Sequence, residues 1–556
     1  MRKLYLVFTF LLPFLTYAQD ILWEKSYGGK HADYLYDAQP TADYGFILAG
    51  SSVSDKTGSK TDDNHGDLDF WIWKMNEKGD LDWQKSIGGS GFDLFQSIRT
   101  TNDGGFIIAG TSNSEMGFQK AEGCKGFTDF WIIKLNASGA EQWQCTIGGS
   151  GHDEVLCAFQ TKDGGYMVAG SSSSNPSSVE QPKENSKSTA TTKADLYNKS
   201  EKSRGNMDYW IVKLDKDGGI EWQKTYGGQY IDILRSIEQT TDNGYILAGY
   251  SNSPISGDKA EGNKSEKGAG DFWILKVTDT GEVQWQKTYG ADGDDQPYVI
   301  HQTYDGGYIA AGNSNSTNAL TPLGGIVSNG TDFWVLKLGT EGEVIWSKTY
   351  DFGKTDILTS LTENNDHSFL IAGYAKTEAS RSLVGKLAKT TGVAKDKDGL
   401  NDYLALKIDE KGEQIWTKSV GSSGEDILRK LIETRDGGYL MAGTSNSGSS
   451  KDKNSNIGAN DFWVVKLKDK TKIEKEKATV EAIPNPVITY TNIIIGYEFK
   501  EGTATLFDIS GRVLKEVKIS MRTVPIDLSA YSEGIYIVKI KTDVRTESVK
   551  LIKSVK

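Results

Sequence analysis

The sequence predicts an all-β protein: a seven-bladed β-propeller of four-stranded antiparallel blades, followed by a small immunoglobulin-like β-sandwich. The first observation is a repeated motif, represented by residues 271–289, in which Asp-Phe-Trp-Ile-Leu-Lys-Val, a glycine turn and Gln-Trp-Gln-Lys-Thr-Tyr occur in that order. Copies recur roughly 60 to 80 residues apart, and a fixed period marks a repeat architecture. The second observation is that the Asp-Phe-Trp strand is apolar on both alternating faces, so neighbouring sheets must cover both. Four-stranded sheets stacked around an axis meet that requirement.

Two tryptophan positions identify the copies. The first lies in the predicted third strand of each unit, at Trp71, Trp131, Trp210, Trp273, Trp334 and Trp463, with Leu404 in its place once. The second lies in the predicted fourth strand, at Trp23, Trp83, Trp143, Trp222, Trp285, Trp346 and Trp416. Because both recur once per unit inside strands, we interpret them as core residues rather than as platforms for sugar rings.

Each unit reads as four short strands. The first begins at an aspartate: Asp33, Asp93, Asp153, Asp232, Asp295, Asp356 and Asp426. An Asp-Gly-Gly or Asp-Asn-Gly turn leads to the second strand, because glycine supplies the positive φ that a tight hairpin needs. A long polar loop precedes the third strand and a short glycine turn precedes the fourth. The long loops and the fourth-to-first loops therefore share one face, called the upper face here, and the tight turns form the lower face.

The two ends of the array give the number of blades. Six third-to-fourth turns carry a glycine four residues before the tryptophan: Gly79, Gly139, Gly218, Gly281, Gly342 and Gly412. The strand around Trp463 has no fourth strand after it, and residues 21–27 form a fourth strand with no third strand before it. We predict that residues 21–27 pair with residues 462–467, which gives seven complete blades and closes the ring. The sixth copy departs most from the pattern, since Asp351-Phe352 replaces Gly-Gly.

Composition and the termini indicate an exported protein. Residues 1–18 read as a signal peptide: Arg2 and Lys3 are followed by an apolar run and a small-residue cleavage site. The alternative, a membrane anchor, needs a longer run, and no other long apolar segment follows, so we expect no membrane-spanning segment in the mature chain. We expect the propeller at residues 19–467, a linker at 468–479 and the sandwich at 480–556. The net charge of −12, without a basic cluster, argues against a nucleic-acid partner.

Three cysteines, Cys124, Cys145 and Cys157, do not make a disulfide framework, and we expect incidental thiols.

The C-terminal residues carry motifs of their own. Pro-Asn-Pro begins at Pro484, Asp-x-x-Gly-Arg begins at Asp508, and Gly-Ile-Tyr-Ile-Val-Lys begins at Gly534. Strands alternate with turn residues between these motifs, as in a small antiparallel sandwich. The motifs resemble the type A C-terminal sorting domain of the type IX secretion system of Bacteroidota, and the repeats resemble propeller repeats found ahead of such domains. The resemblance implies export through the periplasm, handling by the type IX machinery, and release or attachment to the cell surface.

The repeated aspartates are the first candidates for chemistry. Besides the first-strand set, Asp69, Asp129, Asp208, Asp271, Asp332, Asp402 and Asp461 precede the third strands. They could bind cations or act as catalytic carboxylates, but we interpret them as acceptors for loop backbone N–H groups. Catalysis by paired carboxylates needs two groups in different environments, whereas these recur once per blade.

Two strings resemble calcium loops. Residues 215–218 (Asp-Lys-Asp-Gly) occupy a hairpin turn, and residues 292–295 (Asp-Gly-Asp-Asp) lie in an upper-face loop. Neither is followed by the full ligand set of a calcium loop. We therefore expect no cofactor, with calcium at residues 292–295 as the open alternative.

The histidines and lysines give no site either. His31, His65, His152, His301 and His367 lack metal-ligand spacing and a Ser-His-Asp order, so we expect scattered surface histidines. The third-strand lysines are expected to be snorkelling or ion-paired: Lys74, Lys134, Lys213, Lys276, Lys337, Lys407 and Lys466. We assign no catalytic, cofactor-binding or metal-binding residue.

The blades differ most in their long upper-face loops, and function resides preferentially in loops held by a rigid scaffold. We expect the upper face, with residues 171–207 and 374–401, to bind an unidentified extracellular protein or glycan in a non-catalytic adhesion role. The alternative is a hydrolase or lyase that acts on extracellular polysaccharide. Blade-specific acidic and aromatic residues at the upper mouth of the channel would favour the enzyme.

Overall fold

The computed structural model describes residues 20–176, 197–265, 268–316, 330–364, 366–376, 400–468 and 480–554. These residues form thirty-five β-strands, β1–β35, and contain no α-helix. In the described part of the chain, no helix is long and apolar enough to cross a membrane.

Seven four-stranded antiparallel sheets make up the repeat region. Their first strands are β2 (Asp33–Pro40), β6 (Asp93–Thr100), β10 (Asp153–Gln160), β14 (Asp232–Gln239), β18 (Asp295–Gln302), β22 (Asp356–Glu363) and β26 (Asp426–Glu433). The second strands are β3 (Phe46–Ser52), β7 (Phe106–Ser112), β11 (Tyr166–Ser172), β15 (Tyr245–Ser251), β19 (Tyr308–Ser314), β23 (Phe369–Lys376) and β27 (Tyr439–Ser445). The third strands are β4 (Asp69–Met75), β8 (Asp129–Leu135), β12 (Asp208–Leu214), β16 (Asp271–Val277), β20 (Asp332–Leu338), β24 (Asn401–Ile408) and β28 (Asp461–Lys468). The fourth strands are β5 (Leu81–Ile87), β9 (Glu141–Ile147), β13 (Ile220–Tyr226), β17 (Val283–Tyr289), β21 (Val344–Tyr350), β25 (Gln414–Val420) and β1 (Asp20–Tyr27).

The N-terminal strand completes the seventh blade, as predicted. β1 pairs antiparallel with β28, in a register that places Ile21 opposite Leu467 and Tyr27 opposite Phe462. The sheet order is β1-β28-β27-β26, so the first element of the chain is the outer strand of the last blade. First strands of successive blades contact one another around the whole ring, including β26 with β2. The repeat region is therefore a closed seven-bladed β-propeller. β28 continues to Lys468, one residue beyond the predicted end of the propeller.

The core lies between the blades and is built from the third strands. Every residue of β16 is buried, which explains why the strand is apolar on both faces. Trp273 packs on Tyr209 of the preceding blade, with ring centroids 5.0 Å apart, and its Nε1 donates to Gln286 Oε1 at 3.1 Å. Trp71 packs in the same way on Phe462, which joins blade one to blade seven. The prediction that the third-strand tryptophans are core residues is confirmed.

Ion pairs between buried lysines and turn aspartates hold the lower ends of the blades. Each third-strand lysine reaches the aspartate of its own blade's first-to-second turn: Lys74–Asp43, Lys134–Asp103, Lys213–Asp163, Lys276–Asp242, Lys337–Asp305, Lys407–Asp366 and Lys466–Asp436. The lysine side chains are buried, so the predicted ion pairing is confirmed and their ammonium groups do not snorkel to solvent.

The first strands line the propeller axis. In β2, Leu35 and Asp37 are buried while Tyr34 and Tyr36 are exposed or half-buried, and a register shift falls between Leu35 and Asp37. The same shift after the third residue recurs in the other six first strands. The second and fourth residues of each first strand therefore face the channel.

The C-terminal domain is a two-sheet β-sandwich around one hydrophobic core. One sheet has the order β29 (Val480–Ile483), β30 (Tyr490–Ile495), β33 (Thr523–Asp527); the other has the order β32 (Val513–Ile519), β31 (Gly502–Asp508), β34 (Gly534–Thr542), β35 (Thr546–Lys553). The domain lies against the lower face of the propeller. Arg522 contacts Glu77 at 2.7 Å, and Arg435 contacts Glu481 at 3.4 Å.

Candidate functional site

The aspartates that begin the first and third strands form a ring of buried carboxylates under the upper-face loops. Gly29 N donates to Asp33 Oδ2 at 2.6 Å, and His65 N donates to Asp69 Oδ2 at 2.8 Å. Equivalent backbone N–H groups donate to the first-strand aspartates of all the other blades. The prediction that the repeated aspartates accept hydrogen bonds from loop backbone is confirmed for the seven first-strand aspartates and for Asp69, Asp129, Asp208, Asp271 and Asp461 of the third-strand set. Burial raises the pKa of Asp69 to about 6.

A second repeated group in this ring was missed by the sequence analysis. In five blades a buried lysine of the second-to-third loop lies beside the carboxylates: Lys60, Lys120, Lys199, Lys259 and Lys453. Lys60 Nζ donates to Ser52 Oγ at 2.9 Å, and burial lowers the pKa of Lys259 to about 8. The sequence did contain a pattern that could have revealed these lysines. In four blades, that of Lys60 included, the lysine follows the last residue of the second strand by eight positions.

The two calcium-like strings bind protein groups. Asp215 Oδ1 accepts from Asp217 N and Gly219 N, both at 2.8 Å, so residues 215–218 form the predicted turn. In the other string, Asp294 accepts from Gly270 N at 3.1 Å and from a side-chain amide at 2.6 Å. Asp295 accepts from Ala291 N at 2.8 Å and from a serine hydroxyl at 3.1 Å.

A different set of carboxylates converges at the junction of blades five and six. Asp332, Asp351 and Asp356 each offer a carboxylate oxygen, and these three atoms lie within 4.8 Å of one another. Asp332 begins β20, Asp356 begins β22, and Asp351 immediately follows β21. Burial, together with the charges of Asp332 and Asp351, raises the pKa of Asp356 to about 7. Among the described residues this is the only cluster of three or more potential metal ligands.

Two histidines share a carboxylate at the lower end of the channel. His301 Nδ1 lies 2.7 Å from Glu238 Oε2 and His301 Nε2 lies 3.8 Å from Glu363 Oε2. His367 Nδ1 lies 3.4 Å from Glu363 Oε1, and the His367 ring packs on Tyr304 at 4.4 Å. The expectation of scattered histidines is therefore wrong for this pair. Sequence spacing could not show it, because the contacts join three different blades.

The upper face carries exposed aromatic rings that the sequence analysis did not single out. Phe118 and Phe127, in the second-to-third loop of blade two, are 67% and 66% exposed. Each stacks on a histidine: Phe118 on His65 and Phe127 on His152, both with centroids 4.8 Å apart. Met116 of the same loop is 73% exposed. We call Met116, Phe118 and Phe127 the blade-two patch.

The first strands carry a set of blade-specific charges. Among the second and fourth residues of the seven described first strands, the charged side chains are Glu154, Arg235 and Arg429. Arg235 lies over the Tyr298 ring at 5.8 Å, and Arg429 lies over the Tyr36 ring at 5.2 Å. Beyond the register shift the first strands bring further charges together: Asp37 contacts Arg99 and Lys430 of the neighbouring blades, and Glu238 and Glu363 flank His301.

Two predicted features have a simple outcome. None of the three cysteines, all of which lie in the described part of the chain, forms a disulfide bond, as expected. Most of the two upper-face loops expected to bind a ligand, at residues 177–196 and 377–399, lies outside the described residues.

Comparison with known proteins identifies the C-terminal domain. Residues 481–554 match the family described as "Secretion system C-terminal sorting domain". This domain is a type IX sorting domain. It indicates export by the type IX secretion system and a final location that is secreted or on the cell surface. The sorting-domain match covers the last part of the chain, and no curated protein matches the chain.

Solved structures resemble the propeller at low identity. "YCF48 bound to D1 peptide" is 8% identical, with 80% of this chain and 94% of that chain covered and a TM-score of 0.36. Sqt1 from Chaetomium thermophilum is 9% identical, with 83% and 100% covered and a TM-score of 0.40. Pyrococcus horikoshii acylaminoacyl peptidase is 9% identical, with 84% and 59% covered and a TM-score of 0.37. The propeller assignment depends on the strand pairing described above.

Proposed function

We propose that the chain is a secreted or cell-surface binding and adhesion protein without catalytic activity, and that the upper face of its propeller holds the ligand. The observation that carries this proposal is the blade-two patch. Large exposed apolar side chains concentrated in one loop mark interaction sites more often than isolated ones do. Loops on a rigid scaffold are also the usual place for recognition residues.

The two faces of the propeller support this assignment differently. The lower face consists of tight turns, and the sorting domain lies against part of it through Arg522 and Arg435. The upper face bears the long loops and the blade-two patch. Each patch phenylalanine is supported from one side by an imidazole ring, which holds the exposed ring in a fixed orientation. Pre-orientation reduces the entropy lost when a ligand binds.

The ligand proposed first is an extracellular polysaccharide. Phe118 presents a flat apolar ring, and next to it Gln119 makes a hydrogen bond to His65 at 2.9 Å. A sugar ring offers both an apolar face and hydroxyl groups, so it matches a surface that combines aromatic rings with hydrogen-bonding side chains.

The test is a glycan array together with a hydrolysis screen on the purified chain. The double variant F118A/F127A should weaken binding at least ten-fold, because truncating central aromatic residues commonly costs more than 1 kcal/mol. The matched control is Tyr304→Ala, which removes an exposed ring that also packs on a histidine but lies on the lower face. Unchanged binding by F118A/F127A would reject the patch. Release of new reducing ends by the wild-type chain would favour the enzyme, and binding only to extracellular proteins would change the ligand class.

A further inference from the structure

We propose that Asp332, Asp351 and Asp356 bind one calcium ion at the junction of blades five and six. The site lies just below the upper-face loops, where the fourth-to-first loop that follows β21 passes the starts of β20 and β22. Asp332 and Asp356 are buried, and Asp351 is exposed, so an ion can reach the cluster from solvent.

Asp351 occupies a position that is glycine at the six other junctions: Gly28, Gly88, Gly148, Gly227, Gly290 and Gly421. At those junctions a Cβ atom would meet the third-strand aspartate. It would lie 2.0 Å from Asp69 Oδ1 at Gly88, and 2.1 Å from Asp271 Oδ1 at Gly290. In blade five, the aspartate at this position therefore places the Asp351 carboxylate beside the buried Asp332. The other blades keep this space free of side chains.

Asp356 also lacks the serine that faces its counterparts. The six other first-strand aspartates pair in register with the last serine of the second strand, as Asp33 does with Ser52, whereas Asp356 pairs with Ala375. Asp356 is fully buried, and its Oδ1 atom, like that of Asp33, Asp93 and Asp232, accepts no hydrogen bond from the described residues; at this junction two further carboxylates lie close by. A buried carboxylate oxygen with no donor is costly unless an ion or water supplies the missing interaction.

The sequence of the second-to-third loop of blade five, residues 315–331, contains no lysine or arginine, whereas blades one to four and blade seven place Lys60 or its counterpart beside the aspartates. The fourth-to-first loop at this junction carries one basic residue, Lys354. The junction of blades five and six has thus gained a carboxylate. The blade-five loop, by its sequence, lacks the lysine that five other blades carry in the equivalent loop.

The ligand set selects a hard divalent cation. All three side chains offer oxygen, which suits calcium and magnesium. Magnesium is usually held by one or two carboxylates and keeps several waters, whereas calcium accepts several carboxylates in a flexible shell, so three aspartates favour calcium. The three carboxylate oxygens lie within 4.8 Å of one another, close enough for one ion to contact all three. Calcium takes six to eight oxygens, so water must complete the shell, and we expect a Kd of about 10⁻⁴–10⁻³ M, as in extracellular modules.

The experiment is isothermal titration of the purified, EDTA-treated chain with CaCl₂ and separately with MgCl₂. The wild-type chain should bind calcium with a Kd in the stated range and bind magnesium at least ten-fold more weakly. Asp351→Gly restores the residue of the six other junctions, so it should fold normally by circular dichroism and lose calcium affinity at least ten-fold. Asp351→Asn, which keeps the side-chain size, should show a similar loss.

The control is Asp292→Asn, in the corresponding loop between blades four and five, which should bind calcium as the wild type does. Wild-type chain that takes up no calcium would overturn the proposal. Unchanged calcium binding by folded Asp351→Gly would also overturn it, and a loss confined to Asp292→Asn would move the site to residues 292–295.

Discussion

Asp43→Asn should destabilise the protein more than Asp305→Asn, although the two aspartates make the same contact in their blades. Lys74 Nζ lies 2.9 Å from Asp43 and Lys337 Nζ lies 2.9 Å from Asp305. The two pairs differ in solvent exposure, since the Asp43 side chain is 7% exposed and the Asp305 side chain is 59% exposed. The sorting domain lies beside Asp43: Thr523 of that domain makes a hydrogen bond with Asp43, and both residues line a cavity of about 420 Å³ between the lower face and the domain.

The magnitude follows from the Asp43 carboxyl group. Burial alone would raise its pKa, but Lys74 and neighbouring hydrogen-bond donors lower the pKa by more, so the net value is about 2. Relative to an ordinary aspartate near 3.9, that shift corresponds to about 2 kcal/mol of stability at neutral pH. A folded-state pKa below the unfolded value stabilises the protein above about pH 4, and this contribution is lost as the pH falls through about 2. The exposed Asp305 pair is expected to contribute about 0–1 kcal/mol.

Urea unfolding of wild type, Asp43→Asn and Asp305→Asn at pH 7, followed by tryptophan fluorescence, measures the difference. We expect Asp43→Asn to lose about 2 kcal/mol and Asp305→Asn to lose under about 1 kcal/mol. Equal losses at the two positions would show that burial under the sorting domain does not strengthen the Asp43 pair. A neutral Asp43→Asn would refute the assignment of a stabilising buried ion pair.

Two further changes test other contacts. Burial lowers the pKa of His301, but Glu238 and Glu363 together raise it by more, so the net shift is upward. The His301–Glu238 ion pair should therefore stabilise the protein fully below about pH 6.5, and this contribution should be lost as the pH rises through the higher folded-state pKa. Thermal melts from pH 5 to 8 should show that His301→Gln removes this pH dependence of stability. Gly88→Ala puts a Cβ atom 2.0 Å from Asp69 Oδ1, so urea unfolding should show a loss of about 1–3 kcal/mol. A stability equal to wild type would mean that the loop relaxes without cost.

The repeat made the fold predictable from sequence. Trp273 and its counterparts recur at one position in a strand that is apolar on both faces, and only a sheet covered on both sides can bury such a strand. The closure was equally accessible, because residues 21–27 and the strand at Trp463 each lacked a partner within the repeat. Both inferences use a pattern that seven copies repeat, so one irregular copy did not disturb them.

The candidate sites depended on departures from the pattern and were harder to predict. Asp351 was visible as a replacement for glycine, but its meaning required the position of Asp332, which lies in another strand of the same blade. Phe118 and Phe127 sit in a loop without periodicity, so sequence gave no measure of their exposure. His301 and His367 come together only through Glu363, a contact between blades.

Closure of the ring by the N-terminal strand is tested most directly by a disulfide between β1 and β28. Asp20 lies opposite Lys468 in the register, and facing residues of antiparallel strands have Cα separations that suit a disulfide. The double variant D20C/K468C should form this bond under mild oxidation, and peptide mapping should find positions 20 and 468 linked, while the control D20C/D409C should stay reduced at the introduced thiols. Absence of the 20–468 link, or a link in the control, would contradict a seven-bladed ring closed by β1.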